Sequence, residues 1–264
     1  MWRGLYTAAT GMVAETVRTD SIANNLANAN TSGYKRDDVI DEEFHPMLLR
    51  RIDDHSKQDV TSFKGFSLGG QAPVVGKLGL GAYTAGIATD HSQGDMQTTG
   101  NPLDLAISGE GYFAVQTPQG VRYTRDGNFY RSANGQLVTV NGQAVLDTAN
   151  QPITIPEETT SISVGAKGEF YANNEEIGQL QFVQFGGPQA VLKQGNNLYF
   201  PQNNAQPQPA SGEVQQGMLE RSNVNTVSEM VNLIANYRVY EANSKAVTTQ
   251  DAMLDKSVNE VGRL

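Results

Sequence analysis

The chain reads as α+β, with long N- and C-terminal α-helices packed as a coiled-coil layer and an all-β middle domain. Three observations predict this. The last 39 residues keep an unbroken three–four spacing in which eight of ten positions can be buried. The first 27 carry a thinner stripe of the same period. Residues 83–220 break into short apolar runs separated by turn dipeptides. The expected organisation is an inner helical domain from 1–35 and 221–264, an extended connector at 36–82, and a β domain at 83–220.

At the N-terminus, Leu5, Ala8, Ala9, Met12, Val13, Val17, Ile22, Ala23 and Leu26 fall on one side at helical spacing. Small residues stand where larger ones are usual, which permits close helix approach. Gly11 is a weak point, worth about 1 kcal/mol against alanine. Asn24, Asn25, Asn28 and Asn30 follow, then Ser32-Gly33. Asparagine is poor inside helices but good at caps and turns, so this stretch ends the helix.

Phe44 to Ile52 fits one short helix. The glycine-rich residues 53–82 read as extended, with a strand piece at Val74-Val75. That length exceeds an ordinary loop in a compact domain, hence the connector.

The β domain shows runs at 83–89, 103–108, 112–117, 137–140, 162–164 and 179–185. Asp126-Gly127, Asn134-Gly135 and Asn141-Gly142 predict type I′ hairpin turns, whose two central residues both need positive φ.

In the last stretch, Met230, Leu233, Tyr237, Tyr240, Ser244, Val247, Asp251, Leu254, Val258 and Val261 step by three and four. That places them on one helix face, as in a coiled-coil seam. Val227, Val231, Ile234 and Ala242 widen the first half. No glycine or proline interrupts the run before Gly262. Thr226-Val227-Ser228-Glu229 has the form of a capping box, Thr226 being the cap. A helix of about 35 residues is about 50 Å long, more than one small core covers. Of the ten seam residues all but Ser244 and Asp251 can be buried, and burying those eight is worth on the order of 10–20 kcal/mol, so the stripe needs a partner.

The net charge is −9. Residues 1–27 sum to zero and 226–264 to −1, which leaves −8 on the middle. No basic patch exists to neutralise phosphates or anionic lipid, so nucleic acid and a membrane anchor are not expected partners. The absence of cysteine excludes thiol chemistry, disulfides and cysteine-based zinc sites. No apolar run reaches 18 residues, so stable membrane insertion is not expected. The Met1–Tyr6 start lacks a charged n-region and apolar h-region, so any export takes a route other than a cleaved signal.

Apparent chemical motifs fail on context. Gly76-Lys77-Leu78 lacks the earlier glycine and the following Ser or Thr of a phosphate loop. Gly109-Glu110-Gly111 continues as strand where a dinucleotide fingerprint opens a helix. His45, His55 and His91 are scattered, and Asp53-Asp54-His55 is a solvated cluster. Asp126-Gly127-Asn128 has Leu137 where a calcium loop needs its twelfth ligand. No catalytic, metal or cofactor residue is assigned.

Ser21-Ile22-Ala23-Asn24-Asn25-Leu26-Ala27-Asn28, with Thr31-Ser32-Gly33-Tyr34-Lys35, resembles the signature of the bacterial flagellar rod and hook axial proteins. So do the stretches from Asp104 to Phe113, from Tyr123 to Val138, and from Leu219-Glu220-Arg221-Ser222-Asn223-Val224-Asn225 through Val247. Together they span nearly the whole chain, and length and ends are similar to the rod subgroup of Gram-positive-type bacteria. The resemblance implies a structural subunit of the basal-body rod, not an enzyme and without cofactor. Its copies assemble in a helical array that transmits torque, and the terminal helices line a tube. The implied partners are further copies, other rod and hook subunits, and the flagellar export apparatus, in the extracytoplasmic cell envelope. The matching motif residues are Asn24, Asn25, Leu26, Asn28, Gly33, Tyr34, Asn223 and Asn225. The stripes assign Leu5, Met12, Ile22, Leu26, Met230, Leu233, Tyr237, Tyr240, Val247, Leu254, Val258 and Val261 to the subunit interface.

Two other readings stay open on sequence. A peptidoglycan-acting hydrolase needs two convergent carboxylates, one with a raised pKa. A secreted adhesin or membrane-surface binder needs a Lys/Arg excess on its helices' polar faces.

Overall fold

A computed structural model describes residues 2–44, 47–50, 62–63, 66–67, 74–187, 190–202 and 205–261. The Asp53-Asp54-His55 cluster and His45 lie outside the described residues. The chain forms two compact units. One comprises Met1–Asp20, Val39–Ile87 and Leu233–Leu264, and the other Ser21–Asp38 and Ala88–Asn232.

Among the described residues there are two α-helices, α1 (Trp2–Ala27) and α2 (Thr226–Lys256), the second running into a π-helical turn at Ser257–Val261. The all-β middle is present, but the long coiled-coil layer expected from the two stripes is not. In the first unit α1 and α2 meet through small and polar groups. Asn236 Nδ2 donates to Glu15 O at 2.7 Å and to Thr19 Oγ1 at 2.6 Å. A Cβ on Gly11 would stand 2.8 Å from Asn243 Nδ2, and one on Gly4 3.1 Å from Gln250 Nε2. These contacts run antiparallel. Leu233, Val247 and Leu254 keep their half-buried places, but Tyr237, Asp251 and Val258 are exposed. Asn236, Asn243 and Gln250, each one residue earlier on the helix, take the inner positions. Gly4, Ala8 and Gly11 leave room for carboxamides and offer little apolar surface for an aromatic seam.

The start of α2 also differs. Asn225, not Thr226, is the cap, its Oδ1 accepting from Val227 N and Ser228 N at 3.1 Å each. Glu229 is buried instead of reaching back.

Away from the helices, the described residues between 37 and 89 form short strand pairs. Asp37–Glu43 pairs with Ala82–Thr89. Met47–Arg50 pairs antiparallel with Val74–Leu78, so the helix expected over Phe44–Ile52 is a strand where it is described. A strand there satisfies the backbone of both segments across a ladder, which a two-turn helix cannot do.

The second unit is built on a nine-stranded sheet. Its path runs Phe129–Arg131, Leu137–Thr139, Ala144–Val145, Tyr112–Thr117, Gly120–Thr124, Leu198–Pro201, Val191–Gly195, with Phe182–Gln184 also on Tyr112–Thr117 and Gln208–Pro209 beyond it. Tyr112–Thr117 is buried on both faces. Phe113 and Val115 enter a core with Leu105, Phe129, Leu137 and Phe170. Tyr112 and Ala114 enter another with Tyr123, Phe185 and Tyr199. Alternation along one strand thus feeds two cores.

The Asn-Gly turns do join hairpins, but not as type I′. Only Gly135 (φ 79°) and Gly142 (φ 77°) are left-handed, not their asparagines, and Gly135 N bonds Ser132 O while Ser132 N bonds Gln136 O. That is a type I turn with a glycine bulge. The two-residue left-handed turns are Asn173-Asn174 and Asn196-Asn197, where both asparagines have positive φ. Asp126-Gly127 is no hairpin. Gly127 packs so closely that a Cβ would fall 1.5 Å from Leu105 O.

Candidate assembly interface

The motif residues gather in the second unit around the end of α1. Asn25 is buried and binds the backbone of Asp37 on both sides, Nδ2 to Asp37 O at 2.9 Å and Oδ1 from Asp37 N at 3.0 Å. The Tyr34 hydroxyl is shared between Asn24 Oδ1 (3.0 Å) and Asn25 Oδ1 (3.1 Å). Asn28 Nδ2 bonds Asn24 O and Oδ1. Gly33 is left-handed (φ 65°) and its N–H donates to Glu220 O at 2.8 Å. Asn223 accepts from Arg36 N at 2.8 Å and donates to Asp90 O at 2.9 Å. The asparagines thus act less as a plain cap than as clamps on neighbouring backbone.

Beneath them lies a buried ion group that the sequence reading did not single out. Lys35, Arg125 and Glu220 are between 1 and 5% exposed. Lys35 Nζ donates to Glu220 Oε1 (2.5 Å) and Ser92 O (2.7 Å). Arg125 Nη1 donates to Glu220 Oε2 at 3.2 Å, and Gly94 N to Glu220 Oε1 at 3.0 Å. Burial pulls the Lys35 ammonium below its ordinary pKa, against the opposing pull of Glu220. The available signal was three charges within the motif stretches, each with a further charge beside it at Arg36, Asp126 and Arg221. Beside them Lys193 sits 4.1 Å from the Tyr34 ring centroid and bonds Asp37 Oδ2 at 2.8 Å. Asp126, whose carboxyl burial raises, accepts from Ser32 Oγ at 2.6 Å and from Asn128 N at 3.1 Å. No group of three or more acidic, His or Cys side chains among the described residues could hold a metal.

The tyrosines of this unit make alkaline pH a probe of its packing. Burial raises the phenols of Tyr34, Tyr112, Tyr123 and Tyr199, that of Tyr112 to about 12. An unfolded phenol ionises near 10. Each therefore contributes stability that is whole below about pH 10 and lost as pH climbs through the folded value. Lys35 and Lys193, both lowered by burial, act in the opposite sense as pH rises towards 10. Tyrosinate absorbance of these four is expected to appear together with loss of far-ultraviolet circular dichroism. All ten tyrosines titrating near 10 with the fold intact would contradict the packing described.

The interface residues assigned from the stripes divide. Ile22 is buried, and Leu5, Met12, Leu26, Leu233, Val247 and Leu254 are half-buried. Met230, Tyr237, Tyr240 and Val258 are exposed, and the Val261 side chain lies outside the described set. The first half of α2 carries an exposed apolar surface. Val227 (70% exposed), Val231 and Ile234 (55%) form one line, with Met230 and Tyr237 beside it.

Residues 5–35 match a family described as flagella basal body rod protein. Residues 106–172 match the flagellar hook protein FlgE/F/G D1 domain, and 215–260 the flagellar basal body rod FlgEFG protein C-terminal family. The chain is 36% identical over 272 residues to the flagellar basal-body rod protein FlgG of Bacillus subtilis, covering 98% of this chain and 99% of that protein. It is 32% identical over 287 residues to the flagellar hook-basal body complex protein FlhO of the same organism, covering 100% of both. The flagellar basal-body rod protein FlgF of Caulobacter vibrioides is 34% identical over 246 residues, covering 93% of this chain and 92% of that protein.

Proposed function

Because the chain belongs to the family of flagellar basal-body rod proteins, we propose that copies of it add to one another in a helical array that serves as drive shaft and export channel. It is a structural component of the basal body, acting with other rod and hook subunits. Passage through the flagellar export apparatus and an extracytoplasmic position in the envelope belong to the same reading. Among the described residues no helix is long and apolar enough to cross a membrane.

The observation that carries the self-assembly is the uncovered line Val227–Val231–Ile234 with Met230 and Tyr237. A contiguous apolar strip left in water marks an interaction surface. The test is the double substitution Val231→Asp, Ile234→Asp. Both sites are exposed, so monomer stability should move by no more than about 0.5 kcal/mol at each. Polymer formation, followed by sedimentation, and swimming of cells carrying only the variant should be lost. A variant that still builds a working rod would refute this use of the strip.

We read the protein as non-catalytic. Asp126 is the described carboxyl group that burial raises, as a general acid requires, but its Oδ1 is held by Ser32 and Asn128. It clamps a turn.

A further inference from the structure

We propose that Asn236, Asn243 and Gln250 form a register ladder, one carboxamide every seventh residue of α2, that selects a single antiparallel alignment with α1 at the expense of stability. The rungs advance in step on both helices. Gln250 lies over Gly4, Asn243 over Gly11, and Asn236 bonds Glu15 O and Thr19 Oγ1. Seven residues back along α2 is about seven forward along α1 each time. The glycines allow the amides this close; a Cβ at Gly11 would meet Asn243 Nδ2 at 2.8 Å.

The cost is visible in the same contacts. Asn236 is only 4% exposed, and its Oδ1 has no donor among the described residues. Gln250 Oε1 and Glu15 Oε2 are likewise buried without a partner among the described residues. An unmet buried acceptor is destabilising, so an apolar ladder of similar volume should hold the helices more tightly. It would also be indiscriminate. Leucine packs equally on Gly4, Ala8 or Gly11, whereas Asn236 displaced by one heptad along α1 meets Leu26 or Met12 in place of Thr19 and loses its hydroxyl acceptor. A polar residue recurring in a helix contact sets alignment in this way.

The test uses the full chain as a dilute monomer, so its outcome is independent of rod assembly. The native sequence has no cysteine, so introduced thiols report alone. Cysteines at Ala8 and Val247 lie between the Gly4 and Gly11 contacts, in register. Pairing Ala8→Cys with Tyr240→Cys or Leu254→Cys tests a shift of one heptad. With the native ladder, only the in-register pair should oxidise to a disulfide. With Asn236→Leu, Asn243→Leu and Gln250→Leu together, the shifted pairs should oxidise too, and the helical circular-dichroism signal should persist to higher denaturant. Shifted pairs forming readily with the native ladder would overturn the proposal. So would a triple-leucine chain that keeps one register, or one that loses its helical signal, since the apolar ladder must be the more stable.

Discussion

Glu220→Ala should destabilise the second unit by about 3–5 kcal/mol, the cost of stripping a buried pair of one partner. Among the described residues Glu220 is the sole carboxylate bonded to both Lys35 and Arg125, which stay 1 and 5% exposed. Alanine leaves two cations facing each other without water, and Gly94 N loses its acceptor. Urea unfolding monitored by tyrosine fluorescence should show a lower midpoint with unchanged slope. Adding Lys35→Met to Glu220→Ala should recover part of the loss, because it removes one stranded charge. A single-variant loss below about 1 kcal/mol, the range of exposed ion pairs, would mean that the group is hydrated in solution.

Gly33→Ala should cost about 3 kcal/mol or more, from two sources. A side chain in the left-handed region is strained by roughly 1–3 kcal/mol. The new Cβ would also stand 2.4 Å from Arg125 C and 2.5 Å from Asp126 N, both backbone atoms. Overpacking of that kind adds about 1–3 kcal/mol. Gly142→Ala is the matched control: its φ is 77°, but nothing lies within 4 Å of its Cβ position, so only the strain remains. Equal losses at the two sites, measured by thermal unfolding, would show that the contact with Arg125 contributes nothing. The larger loss at Gly33 should also weaken the Gly33 N–H to Glu220 O bond, linking this site to the ion group above.

Much of the fold was legible because it rests on local pattern. The run Tyr112–Thr117 is a central strand, as its apolar residues require, and the two terminal stripes are helices. The Asn24–Lys35 stretch was legible as a helix end, and as a family motif. Its work as a set of backbone clamps was not, since Asn25 meets Asp37 only once the chain folds back. Turn chemistry was half legible. Asn-Gly marks hairpins correctly, but Asn173-Asn174 and Asn196-Asn197 hold both central positions left-handed without any glycine. Asp126-Gly127 misled because its glycine serves a close approach to Leu105 instead of a hairpin. The strand at Met47–Arg50 was not legible, and a short helix was expected there, because its partner Val74–Leu78 is distant in sequence.

By itself the sequence determined the two terminal helices and the β-rich middle, that the chain carries more apolar helix surface than it can cover, and which family it matches. Those properties depend on residue spacing and composition, which need no neighbour to exist. Only the tertiary structure decided which face of α2 turns inward and that Lys35, Arg125 and Glu220 share one dry site. The three–four period of α2 admits the apolar seam and, one residue earlier, the carboxamide seam. The choice fell to the glycines and alanines of α1, more than two hundred residues away, because the space they leave is the shape of an amide.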